Sequence, residues 1–372
     1  MVWQIEKNIR VIRAIRDYFC SMHYDYLIIG QGIAGTFMGW NLEKSGASCV
    51  VIDESKPNTA SKVAAGLINP VTGRRLVNSW MIDELLPFAW NAYHEIGNDL
   101  NIDCIQETPL LNFFQAPDMQ DAFNKKSHEN QSYLTPPNGD DWRQFFAYPF
   151  SYGIIKPCYV ADTNKLITTY CEKLSAKGNL IDEKFDATQL IIKSEGIQYK
   201  NLEAKKVIFC DGAAGLDNPW FSKLPYALTK GEALIVKIPG LPPDHVYKFG
   251  NSLIPVDAEQ SLFWFGSSNE WVYTDDQPSE KFRQQAEAEL KQVLRIPFTI
   301  IEHKAGIRPA NIERRPFCGV HPAFPQLAIL NGLGTKGCSL APYFANQLAR
   351  HLVFNEPLLP DVDVKRFERI LS

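Results

Sequence analysis

The pattern of apolar and polar positions indicates short buried strands that alternate with longer amphipathic helices. An apolar run at 26–29 is followed by helical spacing over 33–45 and by a second apolar run at 49–52. Short continuous apolar runs are typical of strands buried on both faces of a parallel sheet. Gly46 follows the helical segment, where glycine suits the left-handed residue that ends many helices. The three segments together predict one βαβ unit.

The rest of the chain continues with both periodicities. Helices are predicted over residues 79–99, 163–176, 280–293 and 340–352, strands over 105–114, 206–210, 233–238, 247–255, 262–267 and 327–330, and a loop over 305–317. The strands between 226 and 273 are typical of an antiparallel sheet in a substrate-binding domain. The predicted fold class is therefore α/β. It combines a Rossmann-like dinucleotide-binding domain with an interleaved α+β domain built on a mainly antiparallel sheet.

The turn inside the βαβ unit has the sequence G-x-G-x-x-G. Gly30 permits the tight turn, Gly32 lets a pyrophosphate approach the backbone, and Gly35 lets helix and strand pack closely. The helix begins at Ile33 and Ala34, where free N–H groups and the positive end of the helix dipole favour an anion. Since the motif lies between a strand and a helix, it predicts a dinucleotide site.

An acidic pair ends the second strand. Asp53 lies 23 residues after Gly30 and is followed by Glu54. A carboxylate at this position is placed to accept hydrogen bonds from the ribose hydroxyls of an adenosine. It would repel a ribose 2′-phosphate, which argues against NADP. FAD and NAD both remain open on this stretch alone.

Composition narrows the class of protein but not its chemistry. The hydrophobic and charged fractions, 45% and 22%, are ordinary for a globular enzyme, and the net charge of −4 provides no broad basic footprint for nucleic acid. The sequence has no apolar run of the ~18 residues that a membrane helix needs. Eight scattered cysteines without a C-x-x-C pair predict reduced thiols in a cytoplasmic protein. No clustered histidine pattern is present, so no metal site is predicted.

Residues 1–21 precede the first predicted strand as an N-terminal extension. They carry four basic residues but have no apolar core or cleavage site of a signal peptide. Met22 lies where a dinucleotide-binding domain of this kind begins. We therefore hypothesise that Met22 is the native start, which mass spectrometry of the natively expressed protein would test.

Three further segments combine predicted strands with small residues. The candidate cofactor contacts in them are Ala60, Ser61, Ala65, Gly66 and Leu67 after the second strand, Gly212 and Ala213 after the strand at 206–210, and Gly332, Gly334, Thr335, Lys336 and Gly337 before the C-terminal helix. A glycine turn at a helix start again offers free N–H groups. Four such segments, spread along the chain, disfavour a simple NAD-dependent dehydrogenase.

The order of these motifs resembles the D-amino-acid-oxidase-like (DAO) family of FAD-dependent amine oxidoreductases. Glycine oxidase, sarcosine oxidase, D-amino-acid dehydrogenases and the FAD domain of a tRNA wobble-uridine modification enzyme belong to this family. The resemblance runs from about residue 24 to 352 and includes the segment A-G-I-R-P at 305–309. The turn G-L-G-T-K-G at 332–337 is nearer to the G-L-G-S-R-G of the tRNA-modifying domain than to the glycine oxidase form.

The resemblance implies a division of the chain and a mode of FAD binding. The expected FAD-binding domain comprises residues 22–78, 152–215 and 305–372, and the expected substrate domain comprises residues 79–151 and 216–304. Sarcosine oxidases attach FAD to a cysteine in the segment that here holds residues 306–308, which contain none. We therefore expect noncovalent FAD.

The resemblance also implies a substrate anchor. Arg308 matches the arginine of the family's G-[LI]-R-P segment, and an arginine fork holds a carboxylate bidentately. Lys336 is expected to stabilise negative charge at the flavin edge or on an anionic substrate. The arginine that glycine oxidase carries in its final glycine turn falls here on Thr335. Lys230-Gly231-Glu232 matches a K/R-G-[QE] pattern, to which we assign a structural role.

The expected activity is FAD-dependent oxidation of the C–N bond in an amino acid or N-substituted glycine, with hydride transfer to flavin N5. The expected partner is a small amine that bears a carboxylate. The alternatives are a D-amino-acid dehydrogenase, removal of a carboxymethyl group from a modified tRNA wobble uridine, and a noncatalytic FAD-binding protein. The acidic charge balance weighs against the RNA alternative. The oligomeric state does not follow from the sequence.

Overall fold

The computed structural model of the protein describes residues 22–73, 75–129 and 132–372. The predicted extension at 1–21 lies outside the described residues. The helices are α1 (Ile33–Lys44), α2 (Ala60–Val63), α3 (Ile82–Leu100), α4 (Pro117–His128), α5 (Thr163–Ala176), α6 (Glu280–Val293), α7 (Gly337–Phe354) and α8 (Glu368–Leu371).

Strands are more numerous and most are short. They are β1 (Met22–Ile29), β2 (Cys49–Asp53), β3 (Leu67–Ile68), β4 (Val71–Thr72), β5 (Val77–Asn78), β6 (Ile105–Glu107), β7 (Leu110–Phe113), β8 (Leu134–Thr135), β9 (Tyr152–Ile155), β10 (Tyr159–Ala161), β11 (Leu180–Asp182), β12 (Leu190–Lys193), β13 (Gly196–Tyr199), β14 (Leu202–Phe209), β15 (Thr229–Lys237), β16 (Val246–Lys248), β17 (Ser252–Asp257), β18 (Leu262–Gly266), β19 (Thr299–Arg308), β20 (Phe317–Val320) and β21 (Leu327–Asn331).

An eight-stranded mixed sheet, called the parallel sheet below after its five parallel strands, forms the centre of one half of the molecule. These five strands follow the order β11-β2-β1-β14-β21, the order of a doubly wound dinucleotide-binding sheet, and β12, β13 and β20 join the sheet by antiparallel pairing. Leu27, Ile28 and Val207 are fully buried, as expected for central strands covered on both faces. The predicted βαβ unit is present, and Gly46 has a φ of +79° after α1.

The second large sheet is mainly antiparallel, as the fold class predicts. Its order is β19-β15-β18-β17-β16-β7-β9-β8, and only β16 and β7 pair in parallel. One face packs against α6 through Leu234, Phe263 and Phe282. The opposite face packs through Ala233 and neighbouring strand residues on the segment around residues 65–71. This second face, called the inner face below, is directed toward the parallel-sheet half.

Several elements differ from the sequence expectations because distant pairing partners decide them. The strand predicted over 105–114 is two strands, β6 and β7, that lie in different sheets, and residues 247–255 form the β16–β17 hairpin. The prediction of a loop over 305–317 is wrong for residues 305–308, which belong to β19. Arg308 is the last residue of β19, whose polar composition hid a strand that pairs with β15 along its whole length.

The expected domain boundaries also differ from the packing. β9, which we assigned to the FAD-binding domain, pairs with β7 and β8 in the antiparallel sheet. Helix α3, which we assigned to the substrate domain, buries Leu85, Ala89 and Tyr93 in the same core as α1 and α7. Amphipathic spacing shows that a helix has a buried side, but it does not identify the element that covers that side.

Candidate functional site

The carboxyl ends of β1 and β14 meet at the glycine turn. Gly30 has a φ of +96°, and a Cβ there would lie 2.5 Å from the carbonyl oxygen of Cys210. A Cβ at Gly35 would overlap the carbonyl oxygen of Gly30. Both glycines are therefore required sterically, since the atoms they approach belong to the backbone. A crevice at the carboxyl ends of parallel strands is where ligands bind in sheets of this kind.

Asp53 lies directly beside this turn. Its carboxylate accepts hydrogen bonds from the backbone N–H of Gln31 at 2.7 Å and of Ser55 at 2.7 Å. Each carboxylate oxygen retains a second acceptor site, so these bonds leave capacity for a ribose hydroxyl. Glu54 is exposed and forms an ion pair with Lys56.

The segment from Thr59 to Leu67 covers the start of α1. The hydroxyl of Ser61 accepts a hydrogen bond from the N–H of Ile33 at 3.0 Å, and the hydroxyl of Thr59 is buried without a hydrogen-bond partner in the described structure. Gly66 has a φ of +77° and packs directly on the carbonyl oxygen of Ala161. The segment is held close to the helix start, where it offers hydroxyl groups and small side chains.

The C-terminal glycine turn brings a second helix start to the same place. Gly332 and Gly334 have φ values of +72° and +55°, which favour glycine, and α7 begins at Gly337 without a side-chain cap. A Cβ at Gly337 would lie 3.5 Å from the side chain of Ile33. The first residues of α1 and α7 are therefore adjacent.

These features fit FAD as the group held here. Two helix N-termini without side-chain caps, glycines that keep the backbone accessible and the orphan hydroxyl of Thr59 suit a pyrophosphate and a flat ring. Residues 30–35 would hold the diphosphate, residues 60–67 would lie along the ligand, and residues 332–337 would meet its far end. Gly212 and Ala213 follow β14 at the same sheet edge, where the side chain of Asn331 donates to the carbonyl of Gly212 at 2.9 Å.

A buried acid beside this edge was not among our candidates. Asp211 accepts hydrogen bonds from Asn218 at 2.9 Å and from Asn331 at 2.7 Å. Burial raises the pKa of Asp211 to about 6, although these hydrogen bonds act in the opposite direction. Because its partners follow β14 and β21, the carboxylate ties together the ends of two strands that border the site.

Arg308 projects from the end of β19 across the inner face. Its guanidinium lies on Gly231, where any side chain would overlap it. Nη2 donates to the hydroxyl of Ser267 at 2.8 Å, and Nη1 donates to the carbonyl of Ser268 at 3.1 Å. Burial lowers the pKa of Arg308 from its ordinary value, but a guanidinium remains charged at neutral pH. Among the described residues Arg308 forms no ion pair, and its hydrogen bonds go to neutral groups.

Two half-buried lysines, Lys248 and Lys336, form a second cationic group. Nζ of Lys336 donates to the carbonyl of Asn69 at 3.4 Å. Burial lowers the pKa of Lys336 to about 8, and the nearby charge of Lys248 lowers it further in the same direction. Burial also lowers the pKa of Lys248. Sequence reasoning missed Lys248, although a lone lysine within the apolar segment 246–249 was a signal.

Other expected residues lie in the core or at the surface. Tyr247 is buried and donates to the carbonyl of Pro242, and Trp264 donates from Nε1 to the carbonyl of Val63 at 2.9 Å. Trp271 is 61% exposed. Glu232, from the K-G-E pattern, is fully buried and contacts Lys230 and His303.

The part of the chain that the structure describes contains no cluster of three metal-ligating side chains. The seven cysteines in it are free thiols. None of its helices is both long and apolar enough to span a membrane.

Comparison with known proteins identifies a matching family and several solved structures of similar fold. The family model "FAD dependent oxidoreductase" (DAO) matches residues 25–351. An uncharacterised oxidoreductase, YurR, of Bacillus subtilis (strain 168) is 38% identical over 55 residues, and the match covers only 15% of each protein. The chain therefore spans a small part of the length of this curated relative.

Solved structures match over nearly the whole chain. Iminodiacetate oxidase from Chelativorans sp. BNC1 has a TM-score of 0.72 at 20% identity, covering 93% of this chain and 98% of its own. Glycine oxidase from Geobacillus kaustophilus has a TM-score of 0.74 at 18% identity, covering 91% and 96%. L-proline dehydrogenase from P. horikoshii has a TM-score of 0.73 at 16% identity, covering 94% and 98%. These likenesses establish the fold, including the pairing of a dinucleotide-binding sheet with a large antiparallel sheet.

Proposed function

Because the chain belongs to the DAO family of FAD-dependent oxidoreductases, we propose that it oxidises the C–N bond of a small amino acid or N-substituted glycine. The members of this family act on amino-acid-like substrates with FAD as cofactor. Its structural neighbours include a glycine oxidase and an iminodiacetate oxidase. In glycine and in iminodiacetate, the nitrogen is bonded to a CH₂ that carries a carboxylate.

The observation that carries the proposal is the environment of Arg308. Arg308 is half-buried, and partial removal of a guanidinium from water is costly unless an anion or a full set of hydrogen bonds compensates it. Here Ser267 and Ser268 satisfy part of its donors and orient the fork, and no described carboxylate neutralises it. A substrate carboxylate supplies the missing charge and accepts the remaining N–H groups bidentately.

This anchor determines what the protein contributes to the chemistry. When bound, FAD would supply the acceptor for a hydride from the carbon between the nitrogen and the carboxylate. Arg308 fixes the position of that carbon through the carboxylate one bond away, and Gly231 leaves room for the guanidinium on the sheet. The substrate also loses one proton from nitrogen and leaves as an imine. Water then adds to the imine and releases an amine and an oxo acid.

We also propose that FAD is held noncovalently and that the protein is cytoplasmic. The segment beside the flavin end, 306–308, contains no cysteine, and Cys318 is buried in the core shared by α1 and α7. Release of intact FAD on acid precipitation of the purified protein would support the first statement, whereas flavin that stays with the pellet would contradict it.

The central experiment is anaerobic reduction of the bound flavin by matched amines. The panel pairs glycine with methylamine and N-methylglycine with N-methylethylamine, so that members of a pair differ mainly in the carboxylate. It also includes D- and L-proline, and a carboxymethylaminomethyl uridine that represents the RNA alternative. We expect bleaching of the flavin absorbance by carboxylate-bearing amines alone. Absence of bleaching by every one of them would refute the proposal.

A further inference from the structure

We infer that the substrate carries a second anionic group, and that Lys248 and Lys336 bind it opposite Arg308. The inference names the substrate class within the proposed function and rests on it. It assigns the enzyme to small dicarboxylates of the N-carboxymethyl amino acid type, in which one carboxylate lies on each side of the nitrogen.

Lys248 and Arg308 both project from the inner face of the antiparallel sheet. Lys248 lies on the same face as Val246, which packs in the inner-face core with Cys158. Cross-strand pairing joins Lys248 to Ser252, Ser252 to Gly266 and Gly266 to Ala233. These partners have small side chains, but Gly266 and Ala233 are buried beside the ring of Trp264. Lys248, Ser252, Ser267 and Arg308 are only half-buried, so a ligand that reaches both cations contacts this face at Ser252 and Ser267.

The separation of Arg308 and Lys248 across the sheet suits a short dicarboxylate. The guanidinium of Arg308 lies over Gly231 on β15 and reaches the hydroxyl of Ser267, the residue after β18, whereas Lys248 lies on β16, two strands from β18. Neighbouring strands are about 4.8 Å apart, so β16 and β18 are separated by roughly 10 Å across the sheet. A short dicarboxylate with a hydrogen bond of about 3 Å at each end bridges such a gap.

No carboxylate among the described residues pairs with Lys248 or Lys336. Lys248 makes no side-chain hydrogen bond or ion pair with another described residue, and Lys336 makes one hydrogen bond, to the neutral carbonyl of Asn69. Cys158 is the titratable neighbour of both lysines, and burial raises its pKa far above the usual range, so it is an uncharged thiol. Two neighbouring half-buried ammonium groups repel each other and are incompletely solvated, and an incoming carboxylate relieves both effects.

The alternative occupant of this cationic group is the cofactor. Lys336 ends the turn that would meet the far end of FAD, so a lysine there can stabilise negative charge on the flavin. Lys248 belongs to the substrate sheet and not to that turn. The two possibilities differ in what substitution of the lysines changes: discrimination between ligands in one case, flavin reactivity in the other.

The test uses two unreactive sulfur analogues and the FAD-loaded full chain. (Methylthio)acetate has one carboxylate and thiodiacetate has two, and perturbation of the flavin spectrum reports the Kd of each. We expect the wild-type protein to bind thiodiacetate at least about tenfold more tightly than (methylthio)acetate. In Lys248→Met and Lys336→Met the ratio should fall to about one, and in Lys248→Met the Kd of (methylthio)acetate should change less than about twofold.

Controls separate charge from packing. Lys248→Arg keeps the charge and should retain part of the preference, and Lys237→Met removes an exposed lysine of β15 and should leave it unchanged. A wild-type ratio near one, or a ratio that survives both lysine-to-methionine substitutions, would overturn the inference. A shift in the affinity of the flavin for sulfite with an unchanged ratio would instead assign the lysines to FAD. None of these outcomes affects the proposed function, which fails only if no carboxylate-bearing amine reduces the flavin.

Discussion

The glycine turn of the parallel sheet and the inner face of the antiparallel sheet recognise ligands by opposite means. At the turn, Gly30 and Gly35 bring backbone atoms together, and the contacts offered are N–H groups and a helix dipole. On the inner face, glycines make room for long side chains, as Gly231 does for Arg308, and the contacts offered are cationic. Glycine serves backbone approach in the first region and side-chain placement in the second.

This difference determines how each region tolerates change. A substitution at the turn forces backbone atoms apart and affects both folding and cofactor retention. A substitution on the inner face removes a charge from a site that the strands continue to define. The two regions should therefore respond differently to substitution and to pH.

Gly35→Val should have the largest effect. Its side chain would overlap the carbonyl oxygen of Gly30, which cannot move without disturbing the contact between Gly30 and Cys210. We expect destabilisation by about 3 kcal/mol or more and loss of bound FAD. Thermal unfolding and the flavin-to-protein ratio after gel filtration measure both.

The matched control for this variant is Gly46→Ala. Gly46 also follows the glycine motif, but a Cβ there meets nothing within 4 Å, and only its φ of +79° opposes the substitution. A cost of about 1 kcal/mol with full FAD content is expected. Equal losses in the two variants would show that the turn depends on general helix stability and not on close backbone approach.

Arg308→Met should leave the fold and FAD content intact but abolish most activity. The variant loses a bidentate ionic contact to the substrate carboxylate, which is worth about 2–5 kcal/mol. We therefore expect kcat/KM to fall by about 10²- to 10³-fold. Arg143→Met, at an exposed arginine that pairs with Asp141, should retain wild-type kinetics. Unchanged kcat/KM in Arg308→Met would remove this residue from the substrate site.

The same contrast explains how much of the molecule the sequence predicted. The βαβ unit occupies fewer than about thirty consecutive residues, so strand, turn, helix and acid could be located from local pattern alone. The helix bounds of α5 and α6 are confirmed, because their caps and amphipathic spacing are local signals.

The inner face could not be predicted in this way. Its members lie on strands β15 to β19, and they share a face only through pairings between residues up to about eighty positions apart. The family resemblance pointed to Arg308, but it did not reveal Ser267, Ser268 or Lys248. The β19 strand was missed for the same reason, since its polar residues suit a strand only when β15 lies beside it.

The next effect is a pH dependence of ligand binding on the inner face. The pKa of Lys336 is lowered to about 8, so its ammonium is present below pH 8 and lost as the pH rises through that value. Lys248 lowers this pKa, whereas Cys158 and Cys338 raise it. If the charge is required, the Kd of thiodiacetate should rise about tenfold between pH 7 and pH 9.

(Methylthio)acetate, which relies on Arg308, should bind almost equally at both pH values because the guanidinium stays charged. Lys336→Arg should abolish the dependence while keeping the preference for the dicarboxylate. A tenfold change that persists in Lys336→Arg would assign the titration to another group.

The smallest effect concerns the contact that joins the two regions. Trp264, on the inner face, donates a hydrogen bond from Nε1 to the carbonyl of Val63, in the segment that covers the start of α1. Trp264→Phe removes this donor and leaves the carbonyl without that partner, at a cost of about 1 kcal/mol. If the bond aligns the cofactor segment with the substrate sheet, FAD affinity and kcat/KM should both fall by roughly fivefold. A comparable loss of stability with unchanged FAD affinity would mean that the sheet supports the segment without positioning the cofactor, and that the two regions act independently.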